Sequence, residues 1–166
     1  LGAVLLSQLK KVDGYIESKI SAAHQIIQGV SDITELTPQR VRPGDRHTYW
    51  VLSFQLETKG MNCTVREFAE AVEQEGIPFS NPWNGEGMEG PLYRQPFLAD
   101  SSAYGRSRFP FDYRRTKPID YRLVRTPKGE EMMKRAINIQ MIPTCTEEDI
   151  ADIVDAIRKV AIYYRK

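Results

Sequence analysis

The chain has 166 residues, enough for one ordinary domain with a core but too few for most enzymes built from two lobes. Its 23 basic and 22 acidic side chains leave a net charge of +1, which argues against nucleic acid or an anionic membrane as a partner. Cys63 and Cys145 have no metal-like spacing, and the sequence contains neither a signal peptide nor an apolar run that could span a bilayer. A reduced, cytoplasmic setting is therefore expected.

The sequence opens inside an apolar, helical pattern. Its apolar side chains fall within an arc of roughly 80° on a helix, and they are Leu5, Leu9, Val12, Ile16, Ile20, Ala23 and Ile27. This pattern predicts one long helix over residues 1–30. Because no N-cap residue precedes the helix, we expect that the N-terminal part of a longer protein is missing, with processing of a precursor as the alternative.

A polar, proline-containing link from Ser31 to Arg46 follows, and then the strongest strand pattern of the chain. Between Thr48 and Glu57, one predicted face carries bulky apolar side chains, namely Trp50, Leu52, Phe54 and Leu56, and the other carries Val51, Ser53 and Gln55. Thr64 and Glu67 form a capping box for a helix that ends at Gly76. Residues 77–80 are then a short predicted strand.

From residue 81 to about 128 the periodicity is poor, and Gly, Pro and aromatic residues are dense. Insertions of this length in compact domains are usually functional or disordered. A short helix is predicted from Glu130 to Arg135, before the next strand.

The last part of the chain combines a strand with a capped helix. Ile137, Ile139 and Met141 alternate with polar residues, and Thr146 with Asp149 resembles a capping box for an amphipathic helix that extends to Arg165. The order of elements predicts an α+β fold, in which a long connecting helix joins a small, largely antiparallel sheet covered on one face by helices.

The sequence contexts of the two histidines and of the paired carboxylates indicate structural rather than catalytic roles. Neither His24 nor His47 has a Ser or Cys nucleophile in a recognisable context, so a catalytic triad is unsupported. For His47, at the edge of the first strand, a structural hydrogen bond is favoured over a role in a cleft. The paired carboxylates Glu147/Glu148 and Glu130/Glu131 lie at helix starts, where the helix dipole accounts for them.

The segment from Tyr104 to Lys128 interleaves eight basic side chains with aromatic ones. Arginines among aromatics can bind phosphates or stacked bases. The segment lacks the strand-borne aromatics of an RNA-recognition sheet, however, and the chain as a whole is nearly neutral. A solvated loop or a subunit contact is therefore favoured over nucleic-acid binding.

The Gly-rich loop after the short strand offers an amide, an indole, a phenol and a guanidinium, from Asn81, Trp83, Tyr93 and Arg94. Such groups on a loop suit a polar ring substrate. The alternative is a structural loop whose Trp83 fills the core.

Four stretches, taken together and in order, carry a family resemblance: LGAVLLSQL at 1–9, HTYWVLSF at 47–54, the helix and turn at 64–77, and IPTCTEEDI at 142–150. They resemble the DegT/DnrJ/StrS group of pyridoxal-phosphate-dependent sugar aminotransferases, in the part that follows the catalytic lysine. One departure is Ser80-Asn-Pro-Trp83, where many members have an "hY.Pl" motif. The element PLYR at 91–94 resembles the corresponding element in the branch of the family that aminates keto-inositols.

The resemblance implies a parent enzyme that transfers an amino group from glutamine or glutamate to a keto-sugar or keto-cyclitol. The lysine that holds pyridoxal phosphate and the acid that contacts its pyridinium nitrogen would lie upstream of Leu1, in an absent N-terminal large domain. Residues 1–30 would be the connecting helix, and residues 31–166 the C-terminal small domain of a fold type I aminotransferase, which forms a homodimer in the parent.

The same resemblance implies that this chain binds no pyridoxal phosphate covalently and contributes no catalytic or metal-ligating residue. The expected substrate-binding residues are Asn81, Trp83, Tyr93, Arg94 and His47. The alternative is a stand-alone α+β module that binds a small metabolite or mediates oligomerisation without catalysis.

Overall fold

The computed structural model describes residues 2–80, 90–105, 107–113, 117 and 119–166. The chain forms two compact units. Residues 1–81 and 135–166 form the first, here called the sheet unit, and residues 82–134 form the second, here called the insertion unit.

The sheet unit contains four antiparallel strands in the order β1-β2-β4-β3. They are β1 (Leu36–Pro38), β2 (Val51–Leu56), β3 (Phe79–Ser80) and β4 (Ala136–Gln140). Phe54 pairs with Ile137 and Leu52 with Ile139, so the buried side chains of the two central strands share one face. The predicted small antiparallel sheet is confirmed, as is the alternation of the strand that ends before Met141.

Three helices belong to the sheet unit: α1 (Gly2–Gly29), α2 (Val65–Gln74) and α5 (Glu147–Tyr164). They bury one face each, with Ile26 of α1, Phe68 of α2 and Ile157 of α5 fully buried in a common core with the strands. Both predicted capping boxes form, at Thr64/Glu67 and Thr146/Asp149. The α+β class and the helical layer are therefore confirmed.

The sequence interpretation was wrong at two places around β2. The polar link contains β1, whose Pro38 is tolerated because β1 is an edge strand. Trp50 was assigned to the buried face, but it is 71% exposed. Tyr49 has φ 44°, which breaks the alternation before the strand begins, so Tyr49 rather than Trp50 is buried.

Helix α1 is buried only in its second half, where Ala22, Ala23 and Ile26 join the core. In its first half the predicted apolar stripe is exposed in the part of the chain that the structure describes, including Leu5 and Leu9. The periodicity thus identified the helix but not what covers its first half.

The insertion unit contains two short helices, α3 (Pro96–Ala99) and α4 (Pro127–Arg135), and the 3-10 turns Leu92–Arg94 and Tyr121–Leu123. The predicted long loop insertion at about 81–128 thus includes short helical elements, and the predicted short helix begins at Pro127 rather than Glu130. No helix among the described residues is long and apolar enough to cross a bilayer.

Candidate functional site

The face of the sheet opposite the core is polar. Strand β2 places Ser53 and Gln55 on it, and β4 places Asn138 there, because successive side chains of a strand point to opposite faces. Ser53 and Asn138 are register partners, and the Ser53 Oγ donates a hydrogen bond to Asn138 Oδ1 at 2.6 Å. All three side chains are half-buried. They form a fixed row of hydroxyl and amide groups.

Gln39 and His47 extend this polar face beyond the strand. Gln39 Oε1 accepts from the Ser53 backbone N–H at 2.9 Å, and its Nε2 lies 3.2 Å from the His47 ring nitrogens. The Tyr49 backbone N–H donates to His47 Nδ1 at 3.0 Å, so Nδ1 is the unprotonated nitrogen. His47 thus makes the structural hydrogen bond predicted for it, and its role toward a substrate stays a prediction.

Gln55 differs from its neighbours because its Oε1 is buried and accepts no hydrogen bond from any described residue. A buried carbonyl oxygen without a donor costs roughly 1–3 kcal/mol. After a rotation of the Gln55 side chain, this oxygen could accept a hydrogen bond from a hydroxyl or ammonium group of a bound molecule. Gln55 is therefore one position on the polar face with unused hydrogen-bonding capacity among the described residues.

In the insertion unit, Glu130 accepts hydrogen bonds from the polar side chains of the PLYR element. The Tyr93 hydroxyl donates to Glu130 Oε1, Arg94 Nη2 donates to Glu130 Oε2 at 2.6 Å, and the Thr126 backbone N–H donates to Oε1 at 3.2 Å. The hydrogen bond from Tyr93, assisted by those from Thr126 and by the charge of Arg94, lowers the pKa of Glu130 below its ordinary value. This cluster ties the Leu92–Arg94 turn to the start of α4.

The five predicted site residues are distributed over different parts of the chain. Tyr93 and Arg94 lie together in the insertion unit, His47 lies in the sheet unit, and Asn81 and Trp83 lie outside the described residues. No observation tests their role in binding a substrate, which stays a prediction. Two of them, Tyr93 and Arg94, also have a structural role through Glu130.

Sequence reasoning missed several polar residues that the fold brings into useful positions. Ser53, Gln55 and Asn138 were noted only as the polar positions of alternating strands, although that alternation already places them on one face. Glu130 was attributed to the helix dipole. Its spacing from Thr126 at a helix start resembles a capping box with one extra residue. That spacing could have indicated that Glu130 accepts a hydrogen bond there.

The lysines do not fit the role of a covalent pyridoxal phosphate anchor. Such a lysine is activated by desolvation or by a neighbouring cation. All nine lysines of this chain are exposed except Lys19, which is half-buried on α1. The described residues also contain no group of three or more His, Cys, Asp and Glu that could hold a metal ion.

Comparison with known proteins points to one family. The model of the DegT/DnrJ/EryC1/StrS aminotransferase family matches residues 1–158. No curated protein sequence matches the chain.

Solved structures share the fold at low sequence identity. PseC of Helicobacter pylori, an aminotransferase of pseudaminic acid biosynthesis, is 17% identical with a TM-score of 0.63, over 95% of this chain and 36% of that one. DesV of S. venezuelae, solved with a ketimine intermediate, is 15% identical with a TM-score of 0.67, over 96% and 35%.

A third structure, the E. coli GDP-4-keto-6-deoxy-D-mannose-3-dehydratase with bound hydrated pyridoxal phosphate, is 15% identical with a TM-score of 0.63, over 96% of this chain and 34% of that one. The chain thus spans about a third of the length of these proteins.

Proposed function

This chain belongs to the DegT/DnrJ/EryC1/StrS aminotransferase family, and we propose that it is the C-terminal part of an enzyme that transfers an amino group from glutamine or glutamate to a keto-sugar or keto-cyclitol. The observation that carries the proposal is the continuous family match over residues 1–158. Because related structures are about three times as long, the remaining part of the parent would hold the cofactor lysine. Pyridoxal phosphate, bound there, supplies the electron sink for amino-group exchange.

Among the described residues, the polar sheet face offers groups that suit such a substrate. Sugars and cyclitols present several hydroxyl groups, which are recognised by a few well-placed amides and hydroxyls. Ser53 and Asn138 are held in place by their mutual hydrogen bond, and Gln55 Oε1 has no donor among the described residues. We assign these three residues to the acceptor side, with His47 positioned beside them by Gln39.

The exposed half of α1 supports an interaction with the rest of the parent. Val4, Leu5, Leu6 and Leu9 are exposed on this helix. Burying apolar area stabilises by about 25 cal/mol per Å², so a preceding large domain that covers these side chains would be held firmly. In the parent this helix would connect the two domains of each subunit of a cytoplasmic homodimer.

The full-length parent provides the direct test. Purified with pyridoxal phosphate, it should convert more than one equivalent of glutamine or glutamate per active site to the corresponding keto acid only when a keto-sugar or keto-cyclitol is supplied, and a panel of both acceptor classes identifies the substrate. The 166-residue chain alone should give no visible absorption band with pyridoxal phosphate. Absence of cofactor binding by the parent, or of transfer to any acceptor in either class, would contradict the proposal.

Substitutions in the parent test the acceptor surface separately. Gln55→Ala and Asn138→Ala should raise the KM for the acceptor while leaving the absorption spectrum of the bound cofactor and the KM for the amino donor unchanged. Gln28→Ala is the matched control, because Gln28 is an exposed amide side chain in the second half of α1 and does not belong to the polar face. Unchanged acceptor KM in both variants would exclude the polar face from the site.

A further inference from the structure

Two adjacent grooves follow α5 on the surface of the sheet unit. The first, of about 980 Å³, lies between α5, residues 75–78 and the end of β4. The second, of about 760 Å³, lies between α2 and α5. They meet at Glu75 and Lys159, which line both. We call them together the acidic grooves.

The charged residues lining the acidic grooves are almost all carboxylates. Among the described residues, the carboxylates are Glu67, Glu70, Glu73, Glu75, Asp149, Asp152 and Asp155, and the one lining cation is Lys159. The Lys159 ammonium is already paired with Glu75 at 2.5 Å. Arg66, beside the second groove, is likewise paired with Glu70 at 2.7 Å. The grooves therefore present a net negative field that these pairs do not cancel.

Between the carboxylates, the acidic grooves expose apolar side chains. Ile142, Ile162 and Tyr163 are exposed large residues, and Ile77 and Ile153 form the buried floor of the first groove. Exposed apolar side chains that line a groove beside charged residues are typical of an interaction site. Because the charged residues here are carboxylates, a complementary partner would present apolar or aromatic side chains flanked by Lys or Arg.

The insertion unit of this same chain presents such a surface. Tyr104, Phe109 and Tyr113 are all exposed, and their rings contact one another with centroids 6.3 Å and 5.9 Å apart. We call these three residues the aromatic knob. The sequence from Tyr104 to Lys128 contains eight basic and two acidic residues. Arg108 and Lys117 are exposed basic residues within it.

We propose that the aromatic knob, together with Arg108 and Lys117, docks into the acidic grooves of a second copy of this chain. Apolar rings would cover the exposed isoleucines and Tyr163, while Arg108 and Lys117 would approach the carboxylates of α5. Because the knob and the grooves are different patches, two copies can exchange them reciprocally in a closed dimer, or many copies can be linked in one direction into a ring or a chain. The proposal does not depend on amino-transfer chemistry.

Sedimentation velocity of the 166-residue chain tests the contact over a wide concentration range at low and high salt. We expect concentration-dependent association that weakens as salt rises, because screening acts on exposed charges. Asp152→Lys with Asp155→Lys should weaken the association by roughly tenfold or more. Both positions are exposed on α5, and Lys has a higher helix propensity than Asp. The fold should therefore persist in this variant.

Charge exchange makes the test specific. Arg108→Glu with Lys117→Glu should weaken association as strongly, and combining all four substitutions should restore most of it. The control Asp13→Lys with Asp45→Lys makes the same change in net charge at exposed positions outside the grooves and should leave the association constant unchanged.

Three results would overturn the docking of a second copy: a monomer at every concentration, association that neither substitution pair weakens, or failure of the fourfold variant to recover. Each of them would leave the amino-transfer proposal untouched, since that proposal is tested by activity of the parent.

Discussion

Gly29 at the end of α1 lies directly against Val154 of α5. A Cβ at position 29 would stand 2.6 Å from Val154 Cγ2 and 2.9 Å from Cγ1, closer than real Cβ contacts. Because both methyl groups of Val154 are involved, rotation of that side chain offers little relief. The absence of a side chain at residue 29 therefore sets how closely the two helices approach.

Gly29→Ala should lower the free energy of unfolding by about 1–3 kcal/mol, the usual cost of overpacking. Urea denaturation measures it. Adding Val154→Ala should reduce the loss caused by the alanine, since it removes both clashing methyl groups. Gly14→Ala is the matched control within the same helix, because a Cβ there meets no atom within 4 Å. It should stabilise by up to about 1 kcal/mol, and equal losses at the two glycines would exclude the steric explanation.

Phe68 of α2 is 0% exposed and its ring lies 6.4 Å from that of Phe79, at the centre of the core. Phe68→Ala should cost about 3–5 kcal/mol because it leaves a cavity that the strands cannot fill. Trp50→Ala removes an aromatic side chain that is 71% exposed and should change the free energy of unfolding by less than about 0.5 kcal/mol. A comparable loss in both variants, measured by urea denaturation, would mean that α2 is not packed as described.

The cap of α5 predicts a pH-dependent contribution to stability. Thr146→Ala should cost about 1 kcal/mol at neutral pH, because the Thr146 hydroxyl accepts from the Asp149 backbone N–H at 3.1 Å. Hydrogen bonds from the Thr146 side chain and backbone lower the pKa of Asp149. A lowered carboxyl pKa stabilises the fold above the ordinary value of about 3.9, and this contribution is lost as pH falls through the lower folded value.

The midpoint of thermal unfolding at a series of pH values checks this sign. The difference between wild type and Thr146→Ala should shrink as Asp149 becomes protonated. A difference that stays constant down to the most acidic pH would show that the carboxylate does not take part in the cap.

The elements predicted correctly depend on local patterns. The two capping boxes, the alternation of Ile137 and Ile139, and the positive φ of 93° at Gly76 all follow from residues close together in sequence. Such patterns were sufficient to predict the α+β class and most of the element boundaries. They indicated the polar face as well, since period-two alternation defines both sides of a strand.

The elements that were missed depend on distant contacts or on unusual backbone. Strand β1 is short and exists because Leu36 and Thr37 pair with the far end of β2. The exposure of Trp50 follows from the left-handed conformation of Tyr49, which no neighbouring glycine indicates. Glu130 meets Tyr93 and Arg94 across 36 or more positions, and sequence spacing does not report such a contact.

Glu130 provides the last prediction, because it is the acceptor that Tyr93, Arg94 and Thr126 share. Glu130→Gln removes the charge that Arg94 neutralises and one acceptor oxygen, so the turn at residues 92–94 should separate more often from the start of α4. Limited proteolysis at neutral pH should cleave within residues 90–134 faster in this variant. Asp112→Asn is the control, an exposed carboxylate of the same unit, and should leave the cleavage rate unchanged.

The lowered pKa of Glu130 makes the same cluster measurable by titration. The hydrogen bond from Tyr93 is the largest cause of that shift, so the carboxyl resonance of Glu130 should titrate below the ordinary value of about 4.3, and Tyr93→Phe should raise its midpoint. The stabilisation is present above the ordinary value and lost as pH falls through the folded one. An unshifted titration, unaffected by Tyr93→Phe, would show that Glu130 is not the shared acceptor of this cluster.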